Sequence, residues 1–178
     1  MTQNLRLKGF DAVYTTEPSG GRVGRLIRSF VLNREDRVPI ALEALLFAAD
    51  RVDHVEGEVK PLLKQGKVVV CDRYVYSSLA YQGAAGLDLD WIEYINGFAL
   101  TPDQAILIDV PTDAVLERLK RKKTVMENKL NLDKVRQVYL KLVQDGRLTL
   151  LDGNMRRNEV AEEVFRTVSR SLRAKRLL

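Results

Sequence analysis

Val68-Val69-Val70-Cys71-Asp72-Arg73 is the stretch that decides the fold. Four apolar residues in succession, three of them β-branched, favour extended backbone, and the lack of alternation means that both faces are covered. Strands of that kind belong to parallel sheets with helices on either side. Just upstream, Gly66 stops a long helical pattern from Ile40 to Gln65, which Pro61 is expected to kink or interrupt. Further back, Asp36 to Pro39 is a break, Val23 to Leu32 can be a helix, Glu17 to Gly21 is a loop and Asp11 to Thr16 is a short alternating strand. Asn4 to Gly9 reads as a helix end stopped by its glycine. Downstream, helical patterns cover 77–83, 89–100, 131–144 and 159–175, and apolar strands cover 105–110 and 148–151. Thr112 or Asp113 can cap the helix that comes after the first of these strands.

Helices alternating with strands specify an α/β fold, read as a three-layer α/β/α arrangement with a mostly parallel sheet in a single domain over 1–178. In such sheets ligands sit beyond the carboxyl ends of the strands. Glu17, Asp72-Arg73, Asp109 and Asp152 each stand at the carboxyl end of an expected strand. One such group would mean little; four in register mark a functional edge.

A length of 178 residues suits one domain, and 46% hydrophobic with 30% charged residues excludes a disordered chain. A net charge of +5 fits either a nucleic-acid binder or an enzyme for phosphorylated metabolites. No aromatic-basic platform or helix-turn-helix pattern supports the first, so no nucleic-acid partner is expected. The basic run Arg118-Leu119-Lys120-Arg121-Lys122-Lys123 reads by default as a solvated helix face. The chain contains no run of about 18 apolar residues and no apolar signal core at its start, so a cytoplasmic location without a membrane partner is expected. The single cysteine, Cys71, excludes an internal disulfide framework and reads as a buried free thiol. The single histidine, His54, sits among charges and reads as a solvated helix residue.

The segment richest in chemistry is Asp72-Arg73-Tyr74-Val75-Tyr76-Ser77-Ser78-Leu79-Ala80-Tyr81-Gln82-Gly83. An aspartate at a strand's carboxyl end can hold a Mg²⁺-bound water. Arg73 can fork onto a phosphate through two parallel hydrogen bonds, which lysine cannot do. Ser77, Ser78 and Gln82 can read a base or a sugar. A strand-to-helix turn with a capping aspartate would account for a bare Asp-Arg pair, but not for the whole run.

This run resembles the signature of thymidylate kinases, Asp-Arg-Tyr/His followed by Ser-Ser and Ala-Tyr-Gln-Gly, and the likeness extends over nearly the whole chain. Glu17-Pro18 with Gly20-Gly21 resembles the family's Glu-Pro-Gly-Gly loop beside the acceptor nucleotide, with Ser19 standing within it as a departure. Leu45-Leu46-Phe47-Ala48-Ala49-Asp50-Arg51 resembles the acceptor-site helix, whose Phe stacks on thymine and whose Arg reaches base or phosphate. Taken alone, that stretch would be an ordinary amphipathic helix with Phe47 in the core. Leu107-Ile108-Asp109-Val110-Pro111 followed by Glu117-Arg118 resembles the strand that leads to the lid over the ATP phosphates, and so implies a lid segment around 118–131. Val135 to Leu140 resembles the helix leaving the lid, where an Arg and a Tyr face the acceptor. Asp152-Gly153-Asn154 resembles the last strand end near the adenine pocket, although turn chemistry alone would explain Gly153-Asn154.

The resemblance implies a P-loop NTPase-like fold and transfer of the ATP γ-phosphoryl to dTMP with Mg²⁺, on the route to dTTP, by a homodimer. It implies catalytic roles for Asp72, Arg73, Arg118 and Arg121, with Asp72 holding the metal through water. It implies acceptor contacts from Glu17, Pro18, Phe47, Arg51, Arg73 and Tyr74, and further ones from Ser77, Ser78, Tyr81, Gln82 and Tyr139. ATP contacts fall to Arg118, Gly153 and Asn154.

Phosphate-loop kinases need Gly-x-x-x-x-Gly-Lys-Ser/Thr after the first strand, because its backbone amides and lysine cradle the phosphates. The 178 residues do not contain it. Gly20-Gly21-Arg22-Val23-Gly24-Arg25 lacks the spacing and the lysine, and Gly66-Lys67 precedes a strand. Met1-Thr2-Gln3 resembles the start of the helix next to that loop, so the first strand with its loop is expected to be missing or altered, leaving open sheet edges and a hole in the core. A chain shortened or started late, a loop-less relative that binds nucleotide without catalysis, and a rebuilt first element all stay open. The preferred reading is an altered or incomplete N-terminus on a kinase body. A kinase for another pyrimidine monophosphate is the alternative.

Overall fold

Residues 1–32, 37–118 and 129–176 are described by a computed structural model. Helix α1 (Thr2–Leu7) buries Leu5 and ends before Gly9, whose φ of +82° is a conformation glycine adopts without a Cβ penalty. Strand β1 (Ala12–Thr16) leads through the Glu17–Gly21 loop into α2 (Arg22–Leu26). The helix expected over 23–32 is α-helical only at first; Ile27–Leu32 is wound as a π-helix. Helix α3 (Ile40–His54) passes through a second π segment, Val55–Val59, into α4 (Lys60–Lys64). Pro61 therefore does not break the helix where it stands. It withholds an N–H and crowds the carbonyl four residues back, so the ladder is disturbed upstream, around Gly57.

Strand β2 (Val68–Asp72) and α5 (Val75–Ala84) come next. Helix α6 (Leu89–Ile95) is capped by Asp88, which accepts from the Trp91 amide at 2.8 Å. It stops short of the expected Leu100, at Asn96, whose side-chain amide donates to the Ile92 carbonyl at 2.7 Å. The chain continues with β3 (Ile106–Asp109), α7 (Thr112–Arg118), α8 (Lys129–Gln144), β4 (Thr149–Asp152) and α9 (Arg157–Arg176). Most of the proposed lid, 119–128, lies outside the described residues, as does Asp36 of the expected break.

Both strand pairings are parallel. β1 runs beside β2 with Thr16 opposite Asp72, and β3 beside β4 with Asp109 opposite Asp152. The polar residues at strand ends thus meet in pairs, in line with the pattern of the sequence. The pairs form two separate two-stranded sheets, so among the described residues each of the four strands keeps one open edge. This corrects the expected burial on both faces. Val68–Cys71 is only partly covered, Cys71 included, and Ile108 and Leu150 are 47% and 45% exposed. A two-stranded pair has too little surface to enclose itself.

Two apolar clusters hold the helices to this frame. Leu79, Ile92, Leu142 and Leu148 form one, with Leu107 of β3 packed against it; Ile27, Val31 and Val38 form the other, with Phe47 against it. Each fully buried leucine or isoleucine contributes about 1.5–3 kcal/mol of transfer free energy. Helix α3 is inverted in pattern. Its buried face carries Glu43, Asp50, Arg51 and His54, while Leu42, Leu45 and Val52 are exposed on the other side.

Candidate active site

Glu17 stands where β1 ends, and its amide donates to the Asp72 carbonyl at 3.1 Å, pinning the loop to the end of β2. The Glu17 side chain is buried. Its Oε2 accepts from Arg51 Nε at 2.9 Å and Nη2 at 2.7 Å, and its Oε1 lies 3.1 Å from His54 Nδ1. Arg51 is 1% exposed. It also donates to Ser78 Oγ at 3.1 Å and to Asn96 Oδ1, and it lies over the Tyr74 ring at 5.2 Å. A buried ion pair persists only where its remaining donors and lone pairs are satisfied in this way.

The rest of the loop is equally committed. Ser19 donates its amide and its hydroxyl to the Asp50 carboxylate at 2.7 and 2.6 Å, while Arg28 donates to the Ser19 carbonyl at 2.6 Å and to that of Pro18. Gly24 is required here, since a Cβ would collide with the Ser19 backbone. Ser19, the departure from the Glu-Pro-Gly-Gly pattern, is thus a built part of the loop.

His54 corrects the expectation of a solvated residue: it is 3% exposed, and its Nε2 lies 2.7 Å from Thr15 Oγ1. Glu43, Asp50, Arg51 and His54 recur at helical spacing on one face of α3. That period was the available signal, and their charged character concealed it.

From α5, Ser78 and Gln82 face the same region one turn apart. Gln82 Nε2 donates to Glu43 Oε1 at 2.7 Å, and Glu43 also takes a forked pair from Arg37 at 2.9 and 3.0 Å. The carboxylate fixes which way the amide points. Gln82 Oε1 is left buried with no hydrogen-bond partner among the described residues. A buried acceptor without a donor calls for an explanation.

At the turn after β2, Arg73 has φ +65°, a left-handed conformation that costs a residue with a Cβ about 1 kcal/mol. Its guanidinium lies over the Tyr81 ring at 4.9 Å, with Nη2 3.3 Å from the Tyr81 hydroxyl. Ser77 Oγ and the Tyr139 hydroxyl are 2.8 Å apart. Burial raises the Tyr139 phenol pKa, against the pull of Ser77 and Arg73. Burial also pushes Tyr74 up to about 12. Asp72 is exposed, and its Oδ2 accepts from the Tyr14 hydroxyl at 3.2 Å.

On the second strand pair, Arg118 donates to the Gly153 carbonyl and to Asn154 Oδ1, both at 3.1 Å. A Cβ at Gly153 would lie 2.5 Å from Val110 Cγ2 and 2.9 Å from the Asp109 carbonyl, so close packing and not the turn alone requires glycine.

The thymidylate kinase family model matches residues 1–164. The chain belongs to the thymidylate kinase family. It is 42% identical over 173 residues to a probable thymidylate kinase of Pyrococcus abyssi, covering 93% of this chain and 84% of that protein. A probable thymidylate kinase of Pyrococcus horikoshii is 46% identical over 144 residues, 77% of this chain and 70% of the relative. A thymidylate kinase of Halothermothrix orenii is 35% identical over 177 residues, 93% and 86%.

Within this thymidylate kinase family member, the residues expected at the acceptor fall into two joined groups. Glu17, Arg51, Tyr74 and Ser78 share one network, with Gln82 beside them through Glu43. Arg73, Tyr81, Ser77 and Tyr139 line the strand-end turn. Pro18 enters through its carbonyl, and Phe47 is partly buried against Ile27, Val31 and Val38. Arg51 differs most from expectation, because four of its donor hydrogens are spent on protein groups. Arg118, Gly153 and Asn154, expected together at ATP, do meet; Arg121 lies outside the described residues. Glu43, His54 and Asn96 take their roles from contacts with distant elements, and Arg28 from the carbonyls of the Pro18-Ser19 loop, none of which a motif in the sequence announces. Among the described residues no helix is long and apolar enough to cross a membrane, and no group of three or more His, Cys, Asp or Glu side chains could hold a metal.

Proposed function

We propose that this chain is a nucleoside monophosphate kinase that moves the γ-phosphoryl group of ATP to dTMP, giving dTDP. Its membership of the thymidylate kinase family and the names of its relatives support the activity. The observation that bears on the choice of acceptor is Gln82 Oε1, a buried acceptor with no hydrogen-bond partner among the described residues. The N3–H of thymine, which uracil shares, supplies one, so the observation favours these two bases over cytosine while the family favours dTMP. Cytosine presents a lone pair at N3 and would leave the site unpaired, a mismatch that costs orders of magnitude where polar groups are buried.

In this reading Phe47 stacks on the base, while Arg51, braced by Glu17 and Ser78, forms the polar floor beneath it. Arg73 forks onto the acceptor phosphate, preset by its left-handed backbone, with Tyr74, Tyr81, Ser77 and Tyr139 around it. Arg118, Gly153 and Asn154 meet the ATP side, and Arg118 and Arg121 offset charge on the transferring group. Mg²⁺ would be held by the exposed Asp72 carboxylate through water, beside the substrate phosphates. The ion neutralises phosphate charge when bound. The outward apolar face of α3, with Leu42, Leu45 and Val52, suits a homodimer, and the setting is cytoplasmic.

A coupled assay with ATP, Mg²⁺ and dTMP or dCMP tests this. Turnover with dTMP that Arg73→Ala abolishes supports the reading. Binding of dTMP without turnover leaves a nucleotide-binding protein, and a preference for dCMP overturns the acceptor assignment.

A further inference from the structure

Beneath the acceptor side lies a buried chain of hydrogen bonds in which two members, Thr15 and His54, are assigned no substrate contact. Thr15 Oγ1 is 2.7 Å from His54 Nε2, His54 Nδ1 is 3.1 Å from Glu17 Oε1, and Glu17 Oε2 takes Arg51 Nε and Nη2 at 2.9 and 2.7 Å. Arg51 reaches Ser78 Oγ at 3.1 Å. Hydroxyl, imidazole and carboxylate are in the order of a nucleophilic triad. Thr15 is only 7% exposed, however, and Glu17 is already committed to Arg51, so the arrangement orients rather than attacks.

We infer that His54 is a positioning residue for the acceptor pocket: it holds Glu17, and through it the Arg51 guanidinium, and its proton adds positive charge on the side where an anionic nucleotide binds. This rests on the dTMP acceptor reading.

The geometry accepts the ring in both charge states. Nδ1 carries a hydrogen in either, because its partner is a carboxylate. Nε2 faces a hydroxyl, which donates to the neutral ring and accepts from the charged one, so neither state orphans a polar atom. The groups that act on the ring come from several elements: Thr15 on β1, Glu17 after it, Asp50 on α3 and Glu58 in the π segment at 3.7 Å from Nε2, with Arg51 reaching it through Glu17. Burial alone would push the imidazole down from 6.5; the hydrogen bond and charge of Glu17, helped by Glu58 and Asp50, outweigh it and the net direction is upward.

His54 is the single histidine, so its ring nitrogens give an unambiguous NMR signal in the full chain. The test tracks those nitrogens with pH, with and without dTMP, and measures dTMP affinity by calorimetry for the wild type, His54→Asn and His54→Leu. Binding of the anion is expected to raise the ring pKa. Wild-type affinity is expected to fall about three- to ten-fold more than that of His54→Asn between about pH 6 and about pH 8.5, the size of a single charge acting through a partly screened site. The dTMP phosphate itself titrates near about 6, equally for both proteins, so their difference isolates the histidine. His54→Asn keeps a donor toward Glu17 and should match the wild type at the high end; His54→Leu should bind weakly throughout. A ring pKa unmoved by bound dTMP, or identical pH profiles for the wild type and His54→Asn, overturns the inference while leaving the acceptor reading intact. A wild type that binds no dTMP overturns both.

Discussion

Arg136 grips Asp109 through two parallel hydrogen bonds of 2.7 Å each, and the pair ties α8 to the end of β3. Both side chains keep some solvent, which discounts the pair below a buried one, while the fork raises it above a single contact. Arg136→Lys keeps the charge and loses the fork. Urea unfolding should show a loss of about 1 kcal/mol. An unchanged midpoint would mean that apolar packing of α8 alone sets its place.

The Glu17–Arg51 pair is nearly free of solvent, so removing one partner strands the other. Arg51→Met should cost about 3–5 kcal/mol, and adding Glu17→Leu should recover part of that. Denaturant melts of the two single variants and the double close the cycle. Simple addition of the two losses would mean that the pair is not coupled.

Arg73 occupies a conformation that glycine enters without penalty. Arg73→Gly should therefore relieve about 1 kcal/mol of backbone strain, offset by the lost Tyr81 contact and the freer unfolded chain, so it should melt close to the wild type while abolishing phosphoryl transfer. Arg73→Lys should keep the fold and lower kcat/KM for dTMP by roughly ten- to a hundred-fold, because an ammonium cannot fork. Thermal melts beside steady-state kinetics separate the two effects; full activity in Arg73→Lys would show that the reaction does not need the fork.

Gly153→Ala places a methyl 2.5 Å from Val110 Cγ2 and 2.8 Å from Ile108 Cγ2. Overpacking of this kind costs about 1–3 kcal/mol. It should also disturb the carbonyl that Arg118 holds, so KM for ATP should rise with the loss of stability. A variant that melts like the wild type would show that the β4 turn has room to yield.

Burial carries Cys71 from its ordinary 9.0 to about 12, and Tyr74 from 10.0 to about 12. In both, the folded chain holds the neutral form. Between those values the unfolded chain has released protons that the folded chain keeps, so stability falls as pH rises through the window and is untouched below it. Melting at about pH 8 and about pH 10.5 should show the drop, smaller in Cys71→Ala. The same protonated thiol should resist iodoacetamide in the native protein and react on unfolding.

The order of elements, the parallel habit of the strands and the family were all legible in the sequence by itself. Val68–Asp72 and Ile106–Asp109 declared themselves as unbroken apolar runs ending in an acid, and Asp72–Gly83 carried the family likeness in twelve consecutive residues. These are local signals: backbone propensity, hydrophobic period and motif spacing act over one element or one turn. Only the tertiary structure decided which polar residues are inside. Glu43, Asp50, Arg51 and His54 share one helical face, but charge at that period reads as readily for a solvated face as for a buried one. They are buried because their partners arrive from far away in sequence, Arg51 from Glu17 at 34 residues, Ser78 at 27 and Asn96 at 45. The open strand edges and the unpartnered Gln82 Oε1 among the described residues belong to the same class. A buried charge is tolerated only when something else supplies its partner, and that supply depends on the assembled fold and not on any segment of it.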